Sequence, residues 1–181
     1  MKSVMRQSRP GLTLIEIAMA TLVLIVLLGI AIPAFYSMLQ RSQLDAAVRQ
    51  VTSDVREARS RATLGGWQFR LIGFEKDSGS PFKNQYRLVG RSSTAVAWPG
   101  DTVATFTSGT QMAGDWIDVN RLYPGVTLDT SDATNRFYVS FNSQGGAFET
   151  NSFPLEVGHT SGQKQCLSVT GAGSIRMVGC P

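Results

Sequence analysis

Residues 11–16 are Gly11-Leu12-Thr13-Leu14-Ile15-Glu16, and they open an apolar run that reaches Leu39. From Ile17 to Gln40 there are 24 consecutive residues without a charge. A helix rises about 1.5 Å per residue, so a run of this length spans a bilayer core of roughly 30 Å. The sequence therefore predicts a membrane-spanning helix.

The segment before this run is short, polar and basic. It carries Lys2, Arg6 and Arg9 and no acidic residue. Because positive charges beside a membrane helix favour the cytoplasmic side, we expect this end in the cytoplasm and everything after Arg41 outside it.

Glu16 places a carboxylate at the edge of the apolar run, where an acid is costly unless it finds a partner. Residues 11–16 with the run that follows resemble the class III leader of type IV prepilins and type II secretion pseudopilins. The resemblance implies that prepilin peptidase cleaves between Gly11 and Leu12 and methylates the new amino terminus of Leu12. This family usually has Phe at the first mature position, where this chain has Leu12.

Two readings of Glu16 follow. The resemblance implies that its carboxylate meets the N-terminal amine of a neighbouring subunit during filament assembly. The residues alone also match a capping box, Thr13-x-x-Glu16, in which an acid of the first turn suits the helix dipole. A plain single-pass anchor is the alternative to a filament-core helix.

Gly29 and Pro33 interrupt the apolar run. Proline in a helix interior removes a hydrogen bond and clashes with the preceding turn, so we predict a kink between these residues. In pilins this feature coincides with helix melting when the subunit packs into the filament.

After Arg41 the helical period continues, but the pattern becomes amphipathic. Three oppositely charged pairs have i,i+4 spacing, namely Arg41–Asp45, Asp45–Arg49 and Glu57–Arg61. Gly65-Gly66 is typical of a helix end, so we predict one helix from Leu12 to Leu64. Its apolar stripe consists of Leu44, Val48, Val51, Val55, Ala58 and Ala62.

From Trp67 the pattern changes to short β-like runs between Gly, Pro, Asn, Asp and Ser clusters. Ala58-Arg59-Ser60 before the glycines, followed in order by Leu122-Tyr123-Pro124-Gly125, Phe141-Asn142-Ser143-Gln144-Gly145-Gly146 and Cys166-Leu167-Ser168-Val169, resembles the GspH/FimT family. The resemblance implies an α+β fold, in which a long N-terminal helix packs on a C-terminal antiparallel β-rich domain, the lollipop of pilins. Predicted strands are 67–74, 86–89, 103–106, 116–119, 126–128, 137–141, 153–157, 166–169 and 174–178.

We therefore divide the chain into a leader (1–11), a transmembrane or filament-core helix (12–40), an amphipathic helix half (41–66) and a β-rich periplasmic domain (67–181). The resemblance implies a non-enzymatic minor pilin of a type IV pilus, with other pilins, prepilin peptidase and the inner membrane as partners. The alternatives are a GspH-type minor pseudopilin of a type II secretion system and a DNA-binding minor pilin.

The formal charge of +4 belongs mostly to the leader. Without the leader the chain has 14 basic and 13 acidic residues, so its charge is no argument for a nucleic-acid partner.

Cys166 and Cys180 lie in the exported part, where an oxidising compartment favours a disulfide; two buried free thiols are the alternative.

Residues for other chemistry are few. His159, the only histidine, lies in a Gly/Ser/Thr-rich loop without a nucleophile pattern, so we predict a solvated histidine and no catalysis. Asp129-x-x-Asp132-x-x-Asn135 lacks the EF-hand pattern, so we predict solvated turn residues and neither a metal site nor a cofactor.

DNA-uptake members of the family have a Gly-Arg-x-Arg motif, whereas this chain has Gly173-Ser174-Ile175-Arg176. Only Lys164 and Arg176 would contact DNA, which is too few cations to favour it.

Overall fold

The computed structural model of the protein describes residues 13–100, 109–130, 134–151 and 153–180. The chain forms two compact units, divided after Leu39. The predicted cleavage point between Gly11 and Leu12, the predicted strand 103–106 and Asp132 lie outside the described residues.

The first unit is the apolar part of helix α1, whose full extent is Leu14–Gly65. Residues 13–39 are all exposed, and an 18-residue window has a mean hydropathy of 2.7. The predicted helix is confirmed, and its apolar part is long enough to cross a membrane. Pro33 lies inside α1, and the kink at Gly29 and Pro33 stays a prediction.

The second unit begins with the amphipathic part of α1. All six residues of the predicted stripe are buried, and Ala47 joins them. The helix ends at Gly65, and Gly66 follows with a φ of 65°, the left-handed conformation that glycine adopts after a helix without steric cost.

Among the described residues, ten strands and one short helix follow α1. The strands are β1 (Gln68–Phe74), β2 (Gln85–Arg91), β3 (Gln111–Ala113), β4 (Ile117–Asp118), β5 (Val126–Asp129), β6 (Arg136–Phe141), β7 (Ala147–Asn151), β8 (Leu155–His159), β9 (Lys164–Val169) and β10 (Ile175–Val178). The short helix α2 (Val119–Leu122) lies between β4 and β5.

The strands form two sheets, and every strand pairing is antiparallel. Sheet A has the order β3-β2-β1-β6-β7, with β4 also paired to β2. Sheet B has the order β10-β9-β8-β5. The α1 stripe forms one core with residues of both sheets, which include Phe69, Leu71, Phe137 and Val139 from sheet A and Val126, Leu128, Leu155 and Leu167 from sheet B.

Three elements were not predicted. Strands β3 and β7 are edge strands that carry exposed side chains such as Met112 and Phe148, so neither shows a clear apolar alternation. Val119, predicted as the end of a strand, instead begins α2, because the Asp118 carboxylate accepts a hydrogen bond from the Arg121 backbone N–H at 3.0 Å and caps the helix.

Gly73 of β1 lies between its two register partners, Tyr86 of β2 and Phe137 of β6. A Cβ added there would lie 2.3 Å from Phe137 Cζ and 2.8 Å from Tyr86 Cβ, closer than real carbon atoms approach. Both neighbours are fully buried, so either could move aside only by displacing the side chains packed around it.

Gly73→Ala should therefore lower the free energy of unfolding by roughly 1–3 kcal/mol through overpacking. Urea denaturation of a segment that begins at Gln40, and so contains the whole second unit, measures this change. Gly79→Ala is the matched control, since nothing lies within 4 Å of its added Cβ. Equal stability of the two variants would contradict the packing described for Gly73.

Candidate assembly site

The N-terminal end of α1 has the geometry of a capping box. The Glu16 carboxylate Oε2 accepts from the Thr13 backbone N–H and from Thr13 Oγ1, each at 3.4 Å. The Glu16 backbone N–H donates in return to Thr13 Oγ1 at 3.4 Å. These reciprocal contacts satisfy backbone donors at the helix start, which explains why α1 begins at Leu14.

The hydrogen bonds of the cap leave acceptor positions of the Glu16 carboxylate open. The residue is exposed, and its Oε1 has no partner among the described residues. A carboxylate has about four acceptor positions, so it can accept from a further donor while it holds the cap. The roles predicted for Gly11 and Leu12 stay predictions, as does the contact of Glu16 with a neighbouring subunit.

Cys166 and Cys180 form a disulfide across a separation of 14 residues. Cys166 is buried in β9, and Cys180 follows β10, the edge strand that β9 pairs with. The bond therefore fastens the C-terminal edge of sheet B to its neighbour. Glu156 lies beside both sulfurs, but sulfurs bonded to each other are not thiolate ligands.

Replacing both cysteines by serine should lower the free energy of unfolding by roughly 2–4 kcal/mol, because the loop is no longer closed in the unfolded chain. Urea denaturation with and without a reductant tests it. The reductant should bring the unaltered chain to the stability of the double variant and leave the variant unchanged. An unaltered chain whose stability does not change with the reductant would contradict a stabilising disulfide between Cys166 and Cys180.

The two cations of the C-terminal hairpin are not neighbours. Arg176 pairs in register with Ser168, and Lys164 lies four residues from Ser168 along β9, or about 13 Å. The Lys164 ammonium also contacts the Glu156 carboxylate at 3.1 Å, which offsets its charge. This hairpin therefore does not gather the several cations that phosphate binding needs.

The hairpin turn instead packs on the end of α1. The Arg59 guanidinium donates to the Gly173 carbonyl at 3.2 Å. Gly173 has a φ of 76°, and an added Cβ would lie 2.3 Å from the Gly145 carbonyl oxygen. Two turns and the end of α1 therefore pack closely here. Gly173, which stands out in the sequence only as part of the family motif, permits this packing because it has no side chain.

The acidic segment near Asp129 is held by a lysine. The Asp129 carboxylate lies 2.9 Å from Lys76 Nζ, so an ammonium occupies the side where a cation would bind. Glu75, which sequence reasoning did not single out, is buried beside this pair and accepts from the backbone N–H and the hydroxyl of Thr130, both at 3.2 Å. Burial raises the pKa of Glu75, and the two bonds from Thr130 oppose this rise.

A raised pKa in the folded state gives Glu75 a defined pH dependence. As pH increases above about 4.5, the unfolded chain loses the proton of Glu75 before the folded chain does, so this group's contribution to stability falls. Glu75→Gln should remove the decline, so the stability of this variant relative to the unaltered chain should rise as pH increases from about 4.5 towards neutral.

Denaturation midpoints of the segment from Gln40 over this pH range measure the effect. Asp77→Asn alters an exposed carboxylate of the same loop and is the control variant. A Glu75→Gln difference that does not change with pH would contradict the buried charge.

His159 is not the solvated loop residue that the sequence predicted. It ends β8 and is 7% exposed, and its Nδ1 accepts from the Ser161 backbone N–H at 3.0 Å. The Ser161 hydroxyl lies 2.9 Å from the same nitrogen. The ring thus closes the turn between β8 and β9, and Nδ1 is occupied by a backbone donor.

Two further clusters of interacting side chains could not be predicted from the sequence, because their members are distant along the chain. The Tyr86 hydroxyl donates to Asp54 at 2.5 Å, and Gln50 Nε2 donates to both carboxylate oxygens at 3.0 and 3.1 Å. Burial, together with the Asp54 charge, raises the pKa of Tyr86, so the phenol stays a donor.

The second cluster covers the face of sheet A opposite the core. The Arg70 guanidinium lies 4.2 Å from the centroid of the Trp98 ring and 4.4 Å from that of Tyr138, and it forms an ion pair with Glu149. Burial lowers the pKa of Arg70, and Glu149 opposes the shift. These contacts fasten the segment after β2 to the sheet.

Of the predicted i,i+4 pairs, one forms. Glu57 and Arg61 lie 2.5 Å apart. Asp45 makes no ion pair with Arg41 or Arg49 among the described residues, and its carboxylate accepts instead from Gln165 Nε2 at 2.6 Å. The prediction was wrong for these two pairs because a neutral partner from β9 is closer.

Solved structures similar to this chain include the type IV minor pilin FimU of Pseudomonas aeruginosa strain PAO1 in two crystal forms and the minor pseudopilin EpsH from the type 2 secretion system of Vibrio cholerae. They are minor pilins and pseudopilins. The FimU structures are 12% and 14% identical, with TM-scores of 0.45 and 0.44, and the match covers 75% and 77% of this chain and 92% and 90% of theirs. EpsH is 13% identical with a TM-score of 0.44, covering 75% of this chain and 96% of its own.

No protein-family model matches the sequence, and no curated protein matches it significantly.

Proposed function

We propose that this chain is a minor pilin of the GspH/FimT type, a structural subunit that enters the inner membrane, is cleaved after Gly11 and is built into a type IV pilus. The observation that carries the proposal is the start of α1. An acid that caps the helix, and keeps acceptor positions open, opens an apolar segment of membrane-spanning length.

The N-terminal half of α1 would then serve as membrane anchor and later as filament core. Residues 13–39 are all exposed, so their apolar side chains need lipid or other subunits around them. The second unit would face the periplasm and then the outside of the filament, where an oxidising environment suits the disulfide.

Glu16 would join one subunit to the next. Cleavage between Gly11 and Leu12 frees a positive amine at the start of the mature chain, and in an apolar surrounding that amine and the Glu16 carboxylate neutralise each other. Neither charge is stable alone in the filament core, so the pair would set the stagger between subunits.

Glu16→Ala should leave cleavage intact and abolish incorporation, because the amine of the neighbour then has no counter-charge. The readout is the amount of the chain in sheared surface filaments, beside the length of the chain in the membrane. Asp77→Ala is the control, since Asp77 is an exposed acid in a loop of the second unit. Normal incorporation of the Glu16 variant would rule out this role.

A clean deletion in the source organism separates the pilus from the secretion system. Lost surface pili with normal export of secreted hydrolases would support the minor pilin. Retained pili with hydrolases trapped in the periplasm would make the chain a pseudopilin and overturn the choice.

A further inference from the structure

A cavity of about 360 Å³ opens between the C-terminal half of α1 and sheet A, within the second unit. We call it the carboxylate pocket. Its apolar lining comes from β1, β2 and β4 and includes Phe69, Leu71, Leu88 and Ile117. A water molecule takes up about 30 Å³, so the pocket has room for one long side chain.

Two acidic side chains give the pocket its charge. Asp54 of α1 and Asp115, between β3 and β4, both line it and contribute one negative charge each, a formal −2. The other charged residues of the lining, Glu57 and Arg61, form an ion pair and cancel each other. The two aspartates therefore have no counter-charge among the described residues of the lining.

These two carboxylates can both accept from a cation. The Asp54 carboxylate accepts three hydrogen bonds, from the Tyr86 hydroxyl and from Gln50 Nε2, which fix its position without adding positive charge. They leave about one of its four acceptor positions open. Asp115 is exposed and has no hydrogen-bond or ion-pair partner among the described residues. Hydrogen bonds from a cation to a carboxylate are roughly twice as strong as neutral ones.

An apolar surface continues from the pocket. A second cavity, of about 440 Å³, shares Arg61, Phe69 and Met112 with the first and adds Leu64 and Trp67. Leu64 is 86% exposed and Met112 is 42% exposed. We call Leu64, Trp67 and Met112 the apolar patch. Protein interfaces combine an apolar centre with polar groups around it, so the pocket and the patch together suit a protein partner.

Lysine and arginine are the side chains that match the carboxylate pocket. Each has an apolar stem that can be buried while its charged end stays among polar groups. The stem would lie along Leu88 and Ile117, which are half-buried in the lining. The charged end would then be held by Asp54 and Asp115.

We propose that the carboxylate pocket receives an arginine or lysine side chain of a different pilin in the same filament, and that the apolar patch packs against an apolar side chain beside it. This inference rests on the proposed function, because a minor subunit is surrounded by other pilins. It gives the chain a surface that selects a neighbour through charge outside the membrane segment, independently of Glu16.

The test uses the full chain in cells that assemble it. Photoreactive benzoylphenylalanine replaces Met112, which belongs to both linings, and mass spectrometry identifies the cross-linked peptide. The expected adduct joins this chain to a second protein that has its own class III leader. The cross-linked peptide of that protein should contain an arginine or a lysine.

Asp54→Asn with Asp115→Asn should reduce this adduct at least about tenfold, because both charges are lost. The amide oxygen at position 54 still accepts from Tyr86, so the helix and the sheet stay joined. Asp77→Asn removes an exposed carboxylate elsewhere in the second unit and is the control that should leave the adduct unchanged.

A charge exchange distinguishes a lost contact from a lost fold. Asp115→Lys should reduce the adduct, because like charges then face each other. A glutamate in place of the cation that the cross-linked peptide identifies should restore it. A variant that had lost its fold would not be restored by a change in the partner.

No adduct, an adduct with another copy of this chain or with a protein that lacks such a leader, or an adduct that the asparagine variant does not reduce would overturn the proposal. The same cells report on the proposed function separately. If the unaltered chain is cleaved and present in sheared filaments without the expected adduct, the pocket contact is wrong and the pilin function stands. If the chain is neither cleaved nor in filaments, the function itself fails.

Discussion

Burial of the α1 stripe from Leu44 to Ala62 is the contact on which the second unit depends. Sheet A and sheet B share no strand, and both contribute their buried side chains to one core with this stripe. Each large aliphatic side chain removed from water there contributes roughly 1.5–3 kcal/mol. The C-terminal half of α1 is thus part of the fold of the domain and is held by it.

The N-terminal half of the same helix has the opposite property. None of residues 13–39 is buried, although nearly all are apolar, so the partners of this segment must come from lipid or from other chains. Glu16 adds a charge where that apolar surface begins. One continuous helix therefore combines a segment that needs an external partner with a segment that supports a folded domain.

Much of this could be predicted from the sequence because helix periodicity is local. The buried stripe, the glycine end and the Thr13–Glu16 cap all follow from residues three or four positions apart. Contacts between distant segments could not be predicted, such as Tyr86 with Asp54, Arg70 between Trp98 and Tyr138, or the burial of His159. The edge strands β3 and β7 were missed for a related reason, since their pairing depends on a neighbour and not on their own pattern.

In the proposed function, α1 begins at a processed terminus and enters a filament. The mass of the N-terminal peptide of the chain recovered from sheared surface filaments tests both steps. We expect a peptide that starts at Leu12 and carries one N-methyl group. A chain that keeps Met1 to Gly11 and remains only in the membrane fraction would contradict it and leave a plain single-pass anchor.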